Sequence, residues 1–134
     1  MTRRGMRRAF TALRRSETGS ASVEFAFGSI IILTLLMGTV EFGRYFYLRN
    51  GLAYAVQEAG RYAARTANVT DSQIGAVVTT NTPTGITAAV TYATTTSGSV
   101  TLKTITATAT VPFVTQILPM ASLVAQSSTT VPIN

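Results

Sequence analysis

The groups able to do chemistry in this sequence are few. Five carboxylates (Glu17, Glu24, Glu41, Glu58 and Asp71) stand against a single lysine, Lys103, and there is neither cysteine nor histidine. Disulfides, thiolate nucleophiles, the usual zinc sites and imidazole-based catalysis are thereby excluded. A serine activated by Lys103 is the remaining covalent scheme, and the scattered carboxylates give it no support. Glu24, Glu41 and Glu58 recur every seventeen residues. Seventeen helical steps turn successive carboxylates by roughly 100°, so they share no face. No acidic channel, metal site, cofactor site or catalytic residue is expected, and the chain is read as a non-enzyme.

The elements that carry these residues are more informative. Hydrophobic residues make up 46% of the chain and charged ones 12%, about half the charged share of an ordinary soluble domain. A membrane-anchored or self-assembling protein fits that balance better than a soluble enzyme. The net charge of +6 is concentrated at one end, where Arg3, Arg4, Arg7, Arg8, Arg14 and Arg15 supply six of eleven basic residues. Beyond Gly19 the chain is close to neutral. A nucleic-acid-binding domain spreads its basic groups over a folded surface, so neither nucleic acid nor a small-molecule substrate is an expected partner.

Between Phe25 and Val40 sixteen consecutive residues carry no charge. As a helix they reach about 24 Å, a little short of a ~30 Å hydrocarbon core. Adding Ala21–Val23 and Phe42–Gly43 exceeds the requirement but takes in Glu24 and Glu41, which are expensive in lipid. The rest of the chain is too small to surround such a helix, which favours membrane insertion. Six arginines on the N-terminal side put that side in the cytoplasm, and Glu41 offsets Arg44 and Arg49 on the other. The C-terminal part then lies outside.

A secretory signal places its small residues after the apolar stretch. Here Gly19, Ser20, Ala21 and Ser22 come before it. A basic leader, a glycine, a glutamate five residues on and an apolar helix resemble a type IV prepilin processing site. That resemblance implies cleavage by a prepilin peptidase on the cytoplasmic side, between Gly19 and Ser20, leaving Glu24 as the fifth residue. Glu24 has two readings. It sits at the headgroup level near water, or it meets the free amino group of a neighbouring subunit and fixes register in a helical array. The second makes it a subunit-assembly residue, because a monomer cannot satisfy it.

The helical pattern continues past the apolar run. Phe42, Tyr45, Phe46, Leu52, Val56, Ala59, Tyr62 and Ala63 keep three- and four-residue spacing. Glu41 with Arg44, and Glu58 with Arg61, are pairs of the kind that support exposed helix. One helix is expected from about Ser22 to Thr66. Gly51, Ala55, Ala59, Ala63 and Ala67 make a stripe of small residues along it, either seating the C-terminal sheet or meeting another subunit.

Composition changes after Asn68. From Thr79 to Thr110, fourteen of thirty-two residues are threonine. Alternation from Ile86 to Ala93 predicts one strand, Ser97-Gly98-Ser99 a turn, and Val100–Val111 a second strand. A change of parity in the second predicts a bulge near Lys103 or Thr104. Ser127–Val131 suggests a third strand. A disordered, mucin-like tract is the competing reading of the threonines, opposed by the alternating Ile, Val and Ala. Phe113–Met120 is apolar but too short to span a membrane. It either caps the sheet or dips into the outer lipid surface.

Ala21-Ser22-Val23-Glu24-Phe25-Ala26-Phe27, Val40-Glu41-Phe42-Gly43-Arg44 and Ala59-Gly60-Arg61-Tyr62-Ala63 together resemble the TadE-like family of pseudopilins of the tight-adherence (Flp-type) pilus machinery. The likeness covers residues 19–67. It implies a single-pass protein of the bacterial inner membrane, with its C-terminal domain periplasmic or extracellular. Implied partners are the prepilin peptidase, other pilin or pseudopilin subunits and an inner-membrane assembly platform. The expected fold is α+β: a basic leader (1–19), a long helix (20–68) and a threonine-rich antiparallel sheet domain (69–134). The alternative is an uncleaved single-pass envelope protein whose tail binds a partner.

Overall fold

The computed structural model describes residues 17–114 and 122–133, with side chains from residue 19. The six leader arginines and residues 115–120 of the apolar insertion lie outside the described residues. The architecture is α+β, as the sequence led one to expect. A long helix, α1 (Glu17–Arg65), is followed by a short one, α2 (Asp71–Asn81), and by strands β1 (Ala88–Ser97), β2 (Val100–Pro112) and β3 (Ser122–Ile133). Two compact units divide the chain, residues 1–38 and residues 39–134.

In the first unit α1 is apolar all round. Phe25, Phe27, Ile30, Ile31, Ile32, Leu33, Leu35 and Leu36 are all more than half exposed. A helix with no polar face and no protein cover needs an apolar solvent. This helix is long and apolar enough to cross a membrane, and none of its most apolar window is buried.

The second unit contains the core. From α1 come Leu48, Leu52, Ala55, Val56, Ala59 and Ala63, from α2 Ile74 and Val78, and from the sheet Ile105, Ala107, Ala109, Val111 and Ala125. The small-residue stripe therefore acts within the chain from Gly51 to Ala63, while Ala67 is exposed. Two expected members of the buried face, Phe42 and Phe46, are 46% and 51% exposed. Leu48 takes an inward place instead.

The helix α2 was not expected from the sequence. It begins at a capping box: Gln73 N–H donates to Thr70 Oγ1 at 3.3 Å, and Thr70 N–H donates to Gln73 Oε1 at 3.0 Å. Asn68 precedes it in the left-handed conformation (φ 54°), a common way to leave the preceding helix. Pro83 follows its end, where the residue before proline avoids helical angles.

The three strands form one antiparallel sheet in the order β1-β2-β3. Gly98, at φ 63°, makes the first residue of a two-residue turn between paired Ser97 and Val100, where a hairpin of this type needs positive φ. β3 is longer than expected, running from Ser122 to Ile133. The expected bulge is absent. Register is unbroken from Ala88↔Ala109 to Ser97↔Val100, and from Thr101↔Ile133 to Pro112↔Ser122. The apparent change of parity arises because Lys103, a charged residue, occupies an inward position on the same face as Ile105.

Candidate functional site

Gly19 and Ser20 are the third and fourth residues of α1, and both are exposed. The bond expected to be cut is thus helical, within the first turn of α1. Glu24 is also exposed and stands one turn beyond Ser20 on the same helix face. The structure thus gathers the three expected site residues within two turns at the head of an uncovered apolar helix.

A second constellation was read differently from the sequence. Glu41, taken as part of an exposed ion pair, is only 3% exposed. Its Oε1 accepts the Val114 N–H at 2.7 Å, and its Oε2 lies 3.5 Å from Arg44 Nε. The Arg44 guanidinium also donates to the Pro112 carbonyl. One turn on, Tyr45 donates its hydroxyl to the Val124 carbonyl at 3.2 Å. Three helix residues thus grip both chain ends that flank the apolar insertion. By contrast, Glu58 and Arg61 do form an exposed pair at 3.3 Å. The signal missed was spacing: Glu41 falls in line with Tyr45, Leu48 and Leu52 on the face that α1 buries.

A third cluster fastens α2 to the sheet. Lys103 Nζ lies 2.5 Å from Asp71 Oδ1, and the Tyr92 hydroxyl donates to the Asp71 carbonyl at 2.8 Å. The ammonium also lies 6.0 Å from the Tyr92 ring centre. Burial first, and the Asp71 charge second, raise the Tyr92 phenol above its ordinary value. Asp71 is half exposed while Lys103 is buried. The arrangement is a structural tie between α2 and the sheet.

Residues 19–61 match the family model described as TadE-like protein. The likeness to that family lies in α1 alone. The matched segment starts at Gly19, contains Glu24 and the Glu41–Arg44 clamp, and stops at Arg61. It takes in the exposed apolar run and most of the α1 face that seats the sheet, but neither α2 nor any strand. No match to the chain was found among curated proteins or among solved structures.

Proposed function

We propose that this chain is a minor pseudopilin of a tight-adherence pilus assembly or secretion system, a structural subunit without catalytic activity of its own. It spans the bacterial inner membrane once, with the arginine leader in the cytoplasm and residues 39–134 outside. A prepilin peptidase removes the leader after Gly19. The Ser20 amino group so created pairs with Glu24 of an adjacent subunit, and an inner-membrane platform receives the processed protein. The observation that carries this reading is the TadE-like match, which begins at Gly19 itself and takes in the stretch of α1 whose most apolar window is wholly unburied. The sheet domain argues for a minor or initiating subunit over bulk polymer, since bare helices suffice for a filament shaft.

Mass analysis of the mature membrane protein tests the proposal. A chain beginning at Ser20 in wild type, and an intact leader in Gly19→Trp, are the expected results. Normal cleavage of Gly19→Trp, or an uncut wild type, would leave a single-pass envelope protein with a partner-binding tail as the better description.

A further inference from the structure

The charge-free run from Phe25 to Val40 leaves about 6 Å of a typical hydrocarbon core unmet. On the outer side the next residue is Glu41, which would be costly facing lipid. The structure removes that cost. Glu41 is turned under the sheet, 3% exposed, with its carboxylate satisfied by the Val114 N–H and by Arg44. What α1 turns outward at the same level is aromatic: Phe42, Phe46 and Tyr47 are 46%, 51% and 70% exposed. Phe46 packs edge-on against Tyr45, whose hydroxyl holds the Val124 carbonyl. The chain ends held by Glu41 and by Tyr45 also expose aliphatic side chains, Val114 at 74% and Val124 at 60%.

We propose that Phe42, Phe46, Tyr47, Val114 and Val124 form a membrane-interface surface that rests in the outer headgroup and upper acyl region of the bilayer. The Glu41–Arg44 clamp holds the sheet's end down against that surface. The occupant is lipid because this surface continues the uncharged run directly, because aromatic rings favour the membrane–water boundary, and because Arg49 and Asn50 follow at once as exposed polar residues. The bilayer then meets rings and valines where the sequence would have shown it a carboxylate. This inference rests on the membrane-spanning reading of α1.

The chain has no tryptophan, so single tryptophans report depth without background. Full-length Phe27→Trp, Phe46→Trp, Val114→Trp and Tyr54→Trp are placed in bilayers of phosphatidylcholine and phosphatidylglycerol with bromine high or low on the acyl chains. Expected is quenching of Phe27→Trp by deep bromine, and blue-shifted emission with quenching by shallow bromine for Phe46→Trp and Val114→Trp. Tyr54→Trp, two turns further along the helix, stays unquenched. Adding Glu41→Ala should release Val114→Trp from quenching while leaving Phe46→Trp quenched. If Phe27→Trp is quenched but Phe46→Trp and Val114→Trp behave like Tyr54→Trp, the interface surface is wrong and the span stands. Blue-shifted but unquenched Val114→Trp would mean that protein covers it, and would also overturn the proposal. An unquenched Phe27→Trp would bring down the spanning reading and this inference with it.

Discussion

Val114 donates its backbone N–H to Glu41 across 73 residues of sequence, at 2.7 Å. A hydrogen bond to a charged acceptor contributes about 1.5–3 kcal/mol, and more is lost when a buried group is left unmet. Glu41→Ala should therefore destabilise residues 39–134 by about 2 kcal/mol and speed amide exchange at Val114. Glu41→Gln, which keeps an acceptor oxygen, should lose roughly half as much. Denaturation in detergent and site-resolved hydrogen exchange read both effects. Unchanged exchange at Val114 in Glu41→Ala would show that the bond does not hold the strand end.

Gly60 seats α1 tightly on β3. A Cβ there would lie 2.8 Å from Thr129 Cγ2 and 3.2 Å from Val131 Cγ1. Both neighbours are β-branched and stiff about χ1, so neither yields easily. Gly60→Ala should cost about 1–3 kcal/mol by overpacking, despite alanine's better helix propensity. Adding Thr129→Ala should restore most of that loss. Thermal melts of the two variants decide it, and a Gly60→Ala protein as stable as wild type would mean that the helix simply shifts.

How much was legible beforehand follows from these contacts. The helix, the hairpin turn at Gly98 and the apolar span all rest on local patterns of charge, periodicity and glycine, and sequence carries those directly. Thr70 and Gln73 are equally local, a capping signal masked because the change of composition after Asn68 assigns everything beyond it to the sheet domain. Lys103 and Glu41 misled for one shared reason. Each is a charged residue on an inward face, and only a partner far along the chain (Asp71 for the lysine, Val114 for the glutamate) makes that placement affordable. Phe42 and Phe46 misled in the opposite sense: periodicity counts an aromatic as core, whereas a membrane lets it face outward. Gly19, Ser20 and Glu24 stand in an order that resembles a prepilin processing site, and the roles that resemblance implies, processing and assembly, are not ones a folded monomer displays.

The Lys103–Asp71 tie predicts an asymmetry between its two ends. Removing Asp71 leaves a buried ammonium uncompensated, while removing Lys103 leaves a half-exposed carboxylate that water can serve. Asp71→Ala should cost about 1–3 kcal/mol, between the exposed and buried limits for ion pairs. Lys103→Met should be near neutral or favourable. Equal losses from the two variants would contradict the burial pattern.

Tyr92 supplies a pH dependence of definite sign. Its phenol is raised above 10.0 by burial and then by Asp71, so above that pH the unfolded chain releases its proton before the folded one does. Stability is then fully present below the unfolded value and declines as pH rises toward the folded one. As pH rises above 10.0, wild type should lose stability more steeply than Tyr92→Phe, which has no phenol to ionise. Denaturation curves for both proteins across that window are the measurement. Parallel pH profiles would show that Tyr92 ionises alike in both states.

Glu24 separates the assembly mechanism from a simple positional role. If Glu24 only marks the membrane edge, Glu24→Gln removes a charge from lipid and should leave insertion unchanged or mildly improved. If it meets the Ser20 amino group of a neighbour, the same change leaves that amine buried and unpaired, a loss of about 3–5 kcal/mol. At ~1.4 kcal/mol per factor of ten, association between subunits would weaken roughly a hundredfold or more. The proposed cleavage is at Gly19, so it should proceed in Glu24→Gln and the defect should appear only in processed protein. Crosslinking between processed Glu24→Gln subunits in membranes, run beside wild type, distinguishes the cases. Glu24→Asp keeps the charge on a shorter stem and should recover part of the association, whereas a purely positional glutamate would show no such gradation. Equal crosslinking of all three proteins would remove the pairing from the mechanism and leave Glu24 as a feature of insertion alone.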